Sequence, residues 1–562
     1  MKKNLTPDEK LIAYFSMEIG IDSKIPTYSG GLGILAGDTI RSCADLKVPI
    51  VAVTLIYKKG YFYQKLDEFG QQIELPYNWN PGNLLDCLQE KVSIELEGRN
   101  VYIQAWQYTF QGLDGFHVPI IFLDTDIEEN NNYDRTLTYY LYGGDEKYRL
   151  SQEIILGIGG VRMLEKLNYS NIKKYHMNEG HSSLLTIELL KKSGKDAKTI
   201  FDTEEIRKKC IFTTHTPVPA SHDQFSYDLV QKLLNDFISI DFLKKVGGEE
   251  RLNMTLLALN LSNYINGVSK EHGKISKGLY PNYPIDSITN GIHSATWICE
   301  SFKELYNKYI PEWAHDPFSL RYTASIPKEE IWDAHRKAKF LLVNYANKNK
   351  DNNLDLNVFT IGFARRATAY KRADLVFYDT EKIIDISKKA GKMQFIFSGK
   401  AHPKDFQGKE LIKKTIDMSQ KLKNEIKIVY LENYDIDLAK MLISGVDLWL
   451  NTPQKPNEAS GTSGMKAAHN GIPSLSILDG WWIEGCIEGV TGWSIDSVNN
   501  DENLNAGDAY SLYSKLENEI LPVFYNNQDK WIDIMRYTIS INASFFNTHR
   551  MVHQYITNAY AF

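Results

Sequence analysis

The chain has 562 residues, of which 43% are hydrophobic and 24% are charged, and its formal net charge is −6 at pH 7. This composition is typical of a folded globular enzyme with a large core and excludes a disordered or fibrous protein. The negative charge, together with the lack of any lysine- or arginine-dense stretch, argues against nucleic acid as a partner.

Short runs rich in β-branched and aromatic residues alternate with helical patterns along the chain. The predicted strands cover residues 48–57, 210–214, 358–363, 393–398, 426–431, 447–451 and 474–478. The predicted helices cover residues 34–46, 145–164, 182–192, 328–349, 374–390 and 438–443. This alternation is typical of βαβ units and predicts an α/β protein with parallel sheets.

A turn signal at Thr289-Asn290-Gly291 marks a domain boundary, and the strand–helix alternation starts again near Val358. We therefore predict an N-terminal domain over residues 1–292 and a C-terminal domain over residues 293–529. Several predicted strands end in polar or glycine-bearing loops, which is where open α/β sheets bind their ligands.

The cysteines and the N-terminus indicate the cellular compartment. The five cysteines are odd in number and form no CxxC pair, which favours a reducing environment and argues against structural zinc. The N-terminal residues carry Asp8 and Glu9, unlike a signal peptide, and the longest apolar stretch is too short to span a bilayer. We therefore expect a cytoplasmic protein with no membrane partner and no metal.

The first motif is the glycine loop Ser29-Gly30-Gly31-Leu32-Gly33, which opens a predicted helix. A dinucleotide-binding loop of this kind needs an acidic residue about 20 positions further on, but residues 51–55 contain none. Nucleotide binding is therefore rejected. The N–H groups of Gly30, Gly31 and Leu32 are expected to approach a phosphate.

Two polar motifs follow in the first half, His176-Met-Asn178-Glu179-Gly-His181 and Thr213-Thr-His215. The histidine spacing in the first motif is not that of an HExxH zinc site. Amide and imidazole side chains orient neutral hydroxyl groups by directional hydrogen bonds, which suits a sugar ligand.

The second half carries a cationic motif, Arg365-Arg366-Ala-Thr-Ala-Tyr370-Lys371-Arg372, directly after a predicted strand. Four cations so close together at the carboxyl end of a strand predict an anion site. Such a density of charge fits two neighbouring phosphates better than one.

The most informative segment is Glu458-Ala-Ser-Gly461-Thr462-Ser-Gly464-Met-Lys466. Its glycines let the backbone approach a ligand closely, and Thr462 or Ser463 is expected to cap the helix that follows. A lysine amine beside a phosphate-binding turn is what pyridoxal 5'-phosphate requires, because the amine binds its aldehyde and the turn anchors its phosphate.

Together these motifs resemble, in order, those of the α-glucan (glycogen, starch and maltodextrin) phosphorylases, in the form seen in short bacterial members. The resemblance covers about residues 10–500 and includes Glu432-Asn433-Tyr434 and residues 478–485. It implies the GT-B architecture, in which two Rossmann-like domains face a central cleft. It also implies that the last helical stretch, about residues 530–562, packs back on the first domain.

The resemblance also implies residue roles. Covalent pyridoxal phosphate is assigned to Lys466, and the further cofactor contacts are assigned to Gly461, Thr462, Gly464, Arg365 and Tyr434. The substrate phosphate is assigned to Arg366, Lys371 and the glycine loop, and the glucose hydroxyls are assigned to Asn178, His181, His215 and Asn290. Glu458 is expected to orient sugar hydroxyls, and the main chain around His215 is expected to stabilise developing charge.

The chain departs from the family pattern at two positions. Ala369 stands where the family has an acidic residue, and Asp435 stands where it has arginine. Roles attributed to those two side chains are therefore not transferred.

The expected reaction is the retaining phosphorolysis of an α-1,4-glucan by inorganic phosphate, giving α-glucose 1-phosphate in glycogen catabolism. Three alternatives remain open: a GT-B synthase using a nucleotide sugar, a conventional pyridoxal enzyme such as an aminotransferase, and a non-catalytic glucan-binding protein. Bound cofactor, an amino-acid titration and glucose 1-phosphate release distinguish them. The oligomeric state is left open, a homodimer included.

Overall fold

The computed structural model describes residues 5–194, 203–218, 222–496 and 504–561. The chain forms two compact units, each with its own core. The first unit comprises the residues up to Phe62, Pro76–Thr289 and the residues from Met551 onward. The second comprises Tyr63–Leu75 and Asn290–Arg550.

The segment that returns to the first unit is shorter than the predicted residues 530–562. Trp531, Met535 and Ile539 lie in the hydrophobic core of the second unit. Met551 and Tyr555 are instead buried in the first unit. Apolar side chains before residue 551 therefore pack in the core of the second unit, and those from residue 551 onward pack in the first unit.

The strands alternate with helices through both units. The strands are β1 (Ile12–Ser16), β2 (Ile50–Leu55), β3 (Tyr63–Leu66), β4 (Gln72–Leu75), β5 (Asp86–Leu96), β6 (Arg99–Gln111), β7 (His117–Asp124), β8 (Lys174–Asn178), β9 (Cys210–Thr213), β10 (Gln224–Ser226), β11 (Arg251–Asn253), β12 (Tyr264–Gly267), β13 (Ile285–Ser287), β14 (Phe359–Ala364), β15 (Met393–Ser398), β16 (Lys427–Leu431), β17 (Leu448–Asn451), β18 (Ser474–Ile477) and β19 (Gly492–Ile495).

The α-helices are α1 (Gly31–Asp45), α2 (Asn132–Arg135), α3 (Glu146–Ile154), α4 (Gly160–Lys166), α5 (Leu185–Lys192), α6 (Glu204–Arg207), α7 (Tyr227–Leu234), α8 (Ile240–Gly247), α9 (Met254–Asn260), α10 (Lys270–Leu279), α11 (Ser294–Trp297), α12 (Glu300–Tyr309), α13 (Lys328–Ala346), α14 (Thr380–Lys389), α15 (Phe406–Lys421), α16 (Ile436–Gly445), α17 (Thr462–Ala468), α18 (Trp482–Gly485), α19 (Leu504–Lys515), α20 (Leu521–Asn526), α21 (Gln528–Tyr537) and α22 (Thr548–Tyr555). Within the described parts of the chain, every helix is too short or too polar to span a lipid bilayer.

The α/β class is confirmed, and the predicted strands are all present with ends moved by no more than one or two residues. The helix predicted over residues 374–390 is shorter than expected. The Asp379 side chain accepts a hydrogen bond from the Lys382 N–H at 2.9 Å, and α14 therefore begins at Thr380.

The sheet of the first unit has the order β13-β12-β9-β8-β1-β2-β7-β6-β5. Its strands from β13 to β7 are parallel, whereas β6 pairs antiparallel with both β7 and β5. The predicted parallel pairing therefore holds from β13 to β7, and β6 and β5 add an antiparallel edge. The burial of β6 alternates along much of its length, as expected of an antiparallel strand with one face in solvent.

The sheet of the second unit is entirely parallel and has the order β16-β15-β14-β17-β18-β19. Counted from β14, this is the order 3-2-1-4-5-6 of Rossmann sheets, which bind their ligands where the order reverses. The reversal lies between β14 and β17. In the first sheet the corresponding reversal lies between β1 and β8.

Helix α1, which begins in the glycine loop, packs unusually close to the backbone at Gly20. The Gly20 N–H donates to the Gly33 carbonyl at 2.8 Å, and a Cβ added to Gly37 would lie only 2.1 Å from the Gly20 carbonyl oxygen. Only glycine at position 37 permits this approach, which fixes where the glycine loop lies.

We predict that Gly37→Ala destabilises the chain by roughly 1–3 kcal/mol, because the added methyl group forces α1 away from rigid backbone. Gly278→Ala is the matched control, since Gly278 lies in α10 with no atom within 4 Å of an added Cβ. That variant should gain up to about 1 kcal/mol from helix propensity. Urea unfolding midpoints test both variants, and equal midpoints would contradict the packing argument.

Candidate active site

The loops after β14 and β17 meet at the reversal point of the second sheet. Arg365 directly follows β14, and its guanidinium donates to the side chain of Asn451 at the end of β17. It also donates to Glu458 Oε2 at 2.7 Å. Lys371 Nζ donates to the same carboxylate oxygen, also at 2.7 Å. The three charged side chains form one buried cluster.

The protonation state of Glu458 follows from this cluster. Burial acts to raise the pKa of the carboxyl group, but the positive charges of Arg365 and Lys371 outweigh it and lower the pKa to about 2. Glu458 is therefore a carboxylate throughout the neutral range and does not serve as a general acid. Neither ion pair uses Oε1.

A second buried acid, Asp479, holds the backbone of this loop. Its two carboxylate oxygens accept the N–H groups of Glu458 at 2.9 Å and of Gly480 at 2.8 Å. Burial raises the pKa of Asp479 to about 6. No local pattern of residues marks Asp479, because its contact is with Glu458, 21 positions earlier in the chain.

Lys466 lies in α17 and is buried. Its Nζ lies 3.9 Å from the centroid of the Trp297 ring. The predicted cap of this helix is wrong: Gly461, at φ 85°, is the N-cap, and Ser463 instead accepts a hydrogen bond from the Trp449 indole at 3.1 Å. Glycine is required at 461 because left-handed backbone disfavours residues with a Cβ.

Small residues bring the backbone of this segment close to its surroundings. A Cβ added to Gly464 would lie 2.8 Å from the Trp481 ring. Three buried polar atoms in the loops that carry this cluster have no hydrogen-bond partner within the described part of the chain: Arg365 Nε, Thr368 Oγ1 and Ser460 Oγ. Such groups are costly to bury unless a ligand satisfies them.

The four cations of the predicted anion site have different surroundings in the structure. Arg372, in left-handed backbone at φ 48°, donates to Asp508 at 2.6 Å and to the carbonyls of Thr452 and Pro453. Its role is structural, and its predicted part in an anion site is wrong. Arg366 is exposed and makes no ion pair within the described residues.

Tyr434 is half-buried, and burial raises the pKa of its hydroxyl group. The next residue, Asp435, accepts the Leu438 N–H at 2.8 Å and caps α16, which accounts for an acid at this position. Lys400, which the sequence analysis missed, follows β15, and burial lowers the pKa of its amine to about 8 while the charge of Asp435 opposes this shift.

The hairpin formed by β3 and β4 holds the loop before Tyr434. The Gln64 side chain accepts the Asn433 N–H at 2.8 Å and donates to the Gly399 carbonyl at 2.8 Å. This hairpin lies far from both loops in sequence, and no local pattern of residues predicts the contact.

The reversal point of the first sheet joins Ser16, Asn178 and His215. The Asn178 amide donates to the Ser16 hydroxyl at 3.0 Å and accepts a hydrogen bond from His215 Nε2 at 2.6 Å. Burial lowers the pKa of His215 to about 3, and the ring is therefore neutral. Both ends of the Asn178 amide are engaged within the protein, which favours a role in orienting His215.

His181 contacts a different group. Its Nε2 lies 3.5 Å from Asp223 Oδ2, and Asp223 is bound in turn by Arg149 at 2.7 Å. Burial, aided by the charge of Arg149, lowers the pKa of His181 to about 3. Its Nδ1 is buried without a hydrogen-bond partner within the described residues and is therefore available to a ligand hydroxyl.

The glycine loop is held by a residue that the sequence analysis missed. Glu18 Oε2 accepts the N–H groups of Ser29 at 2.5 Å and Gly30 at 3.2 Å, and Tyr142 donates to its other oxygen at 2.8 Å. The Gly30 N–H is therefore bound within the protein rather than directed to a phosphate. The N–H groups of Gly31 and Leu32 lie in the first turn of α1, where a helix offers them no partner.

Asn290 is the first residue of the second unit. It is buried, and its carbonyl accepts a hydrogen bond from Arg550 at 2.9 Å. Its side-chain Oδ1 is buried without a hydrogen-bond partner within the described residues, as expected of a group that accepts a hydrogen bond from a ligand.

Comparisons with known proteins place this arrangement in context. The family model described as carbohydrate phosphorylase matches residues 239–492. The chain is 39% identical to the maltodextrin phosphorylase of Thermococcus litoralis, over 98% of this chain and 71% of that protein. It is 35% identical to the glycogen phosphorylases of Aquifex aeolicus and Mycobacterium tuberculosis, over 98% of this chain in both cases and over 86% and 70% of those proteins.

The buried histidines predict how stability depends on pH. Burial lowers the pKa of His176, His181 and His215 to about 3, below the ordinary value of 6.5, so the folded state favours the neutral rings. Their stabilisation is complete above pH 6.5 and is lost as the pH falls towards 3, by about 1.4 kcal/mol per pH unit for each ring. Asp479 has the opposite effect: burial raises its pKa to about 6, so its contribution to stability grows as the pH falls.

Urea midpoints measured from pH 8 to pH 4.5 test this prediction. The midpoint should fall steadily below pH 6.5, and His215→Asn should flatten the slope by removing one of the rings. A midpoint that stays constant from pH 8 to pH 5 would show that these rings are accessible to protons in the folded chain.

Proposed function

The chain belongs to the carbohydrate phosphorylase family, and we propose that it is an α-1,4-glucan phosphorylase. It transfers the terminal glucose of glycogen, starch or maltodextrin to inorganic phosphate and releases α-glucose 1-phosphate with retained configuration. The observation that carries this proposal is the buried amine of Lys466 on the same short segment as the Glu458 cluster.

The residues of the second unit fit pyridoxal 5'-phosphate as a cofactor. We assign its covalent attachment to Lys466, and its phosphate to the segment from Gly461 to Gly464 and to Arg365. The partnerless polar atoms of Arg365, Thr368 and Ser460 are suited to an oxygen-rich anion. Tyr434 is assigned to the ring. A phosphate monoester has a second pKa near 6 and therefore supplies proton-transfer chemistry at neutral pH.

The cations of the second unit differ in how far their charge is neutralised, and this decides which phosphate each is assigned to. Glu458 neutralises one charge of the Arg365–Lys371 pair, and one net positive charge remains there for two nearby phosphates. Arg366 is exposed and uncompensated, and we assign the substrate phosphate to it together with Lys371. The N–H groups of Gly31 and Leu32 provide further donors for an anion.

Neutral polar groups are assigned to the sugar. His181 presents an unprotonated ring nitrogen, His215 is fixed by Asn178, and Asn290 has an amide oxygen that accepts no hydrogen bond within the described residues. Groups of this kind bind hydroxyls without adding charge. Both cations bind Glu458 through Oε2. Its Oε1 can therefore accept a hydrogen bond from a sugar hydroxyl.

We also propose a cytoplasmic location, which the free state of all five cysteines supports. The substrates are an α-1,4-glucan and inorganic phosphate. The number of subunits, a homodimer included, is a separate question for sedimentation measurements.

Lys466→Ala should remove covalent cofactor and nearly all turnover, because Lys466 is the one lysine of α17. The wild-type protein should absorb in the near ultraviolet, and borohydride reduction followed by peptide mapping should place the cofactor on Lys466. Lys388→Ala, at an exposed lysine, is the control and should keep both properties. A cofactor mapped to any other lysine would refute the assignment.

Arg366→Ala should raise the phosphate requirement and lower the rate of phosphorolysis by roughly 30- to 1,000-fold, since a charge-assisted contact to phosphate is lost. Its unfolding midpoint should stay unchanged because Arg366 is exposed. Arg336→Ala, at an exposed arginine in α13, is the matched control and should leave both unchanged. Unchanged phosphate dependence combined with weaker glucan binding would contradict this role for Arg366.

A further inference from the structure

Glu179 has a backbone conformation that is close to exclusive to glycine. It directly follows β8, and its φ of 77° and ψ of 167° fall in a region that other residues enter only when their surroundings force them to. The side chain is buried. Non-glycine residues in such conformations cluster at functional sites, where the contacts of the side chain offset the backbone strain.

The contacts of Glu179 explain why a side chain is kept there. Its Oε2 accepts the backbone N–H of His215 at 2.8 Å and the hydroxyl of Thr216 at 3.0 Å. Its Oε1 accepts the N–H of Gly180 at 3.0 Å. Within the described residues, no lysine, arginine or histidine forms an ion pair with this carboxylate. Three hydrogen bonds engage both of its side-chain oxygens.

The register of the sheet places Glu179 beside the His215 loop. Asn178 pairs with Thr213 across β8 and β9, and the Glu179 N–H donates to the Thr213 carbonyl at 2.9 Å. Consecutive residues therefore hold His215 in two ways. Asn178 binds its ring at 2.6 Å, and Glu179 binds its backbone.

The far side of the same loop is held as well. His222 Nε2 lies 3.1 Å from the Thr216 carbonyl, and the Tyr280 hydroxyl lies 2.9 Å from the other ring nitrogen of His222. Asn178 and Glu179 therefore contact His215 itself, whereas His222 contacts the neighbouring Thr216. A purely structural connection at position 179 would be served without strain by glycine.

We infer that Glu179 is a positioning residue of the glucan phosphorylase reaction: its carboxylate fixes the His215 backbone and the Thr216 hydroxyl in the orientation that the sugar requires. The inference rests on the proposed function. Glu179 acts through His215 and Thr216 and is not assigned a contact with substrate.

Two substitutions separate the carboxylate from the strained backbone. Glu179→Gln keeps the shape of the side chain but places an amide donor where two N–H groups and a hydroxyl need acceptors. Glu179→Gly relieves the backbone and removes the carboxylate. The kcat of both variants should fall about 10- to 100-fold, as expected when buried hydrogen-bond acceptors are lost. Glu312→Gly, at an exposed glutamate with φ 66°, is the control and should keep its kcat.

A double-mutant cycle tests whether the effect passes through His215. In the His215→Ala background, Glu179→Gln should lower kcat by less than about threefold, because the His215 ring, whose place depends on the backbone that Glu179 holds, is gone. Hydrogen exchange of the peptide that contains His215 should also be faster in Glu179→Gln than in the wild type. This second readout does not depend on activity.

The outcomes are distinct. Wild-type activity in Glu179→Gly, or the same loss of kcat from Glu179→Gln in both backgrounds, would overturn the inference and leave Glu179 a structural residue. If the wild-type chain released no glucose 1-phosphate, the proposed function would fail instead. Hydrogen exchange would then decide alone: equal exchange in the wild type and Glu179→Gln would overturn the inference, and faster exchange in the variant would support it.

Discussion

The second unit depends on one buried carboxylate. Glu458 Oε2 binds Arg365 from the end of β14 and Lys371 from the 3-10 turn that follows, while Glu458 itself lies in the loop after β17. It therefore ties together the two loops at the reversal point of the sheet. Without its charge, two cations would be buried side by side, which is far more costly than burying a balanced cluster.

Two carboxylates of the first unit are held differently from Glu458. The second unit neutralises its carboxylate with cations, whereas Glu18 and Glu179 in the first unit are satisfied by N–H and hydroxyl groups. These hydrogen bonds fix the loops that donate them. The Glu18 and Glu179 loops are therefore held by hydrogen bonds, and the loops around Glu458 are held by ion pairs.

The sequence predicts buried parallel strands and ligand-binding loops well, because both leave local patterns. The run before Arg365 and the glycine-rich segment before Lys466 are recognisable from neighbouring residues alone. Glu18, Asp479 and Gln64 are not, since each acts on a partner distant in the chain. Arg372 resembles its cationic neighbours in sequence, but its partner Asp508 lies 136 positions further along the chain, and no local pattern reveals that ion pair.

The most direct test of this account is the free energy of unfolding of Glu458→Gln, measured by urea titration with tryptophan fluorescence. The substitution keeps the shape of the side chain but leaves Arg365 and Lys371 uncompensated, and we expect a loss of roughly 3–5 kcal/mol. Glu425→Gln, which removes a largely exposed pair with Lys388, is the reference and should cost less than about 1 kcal/mol. Equal losses in the two variants would contradict the central place given to the Glu458 cluster.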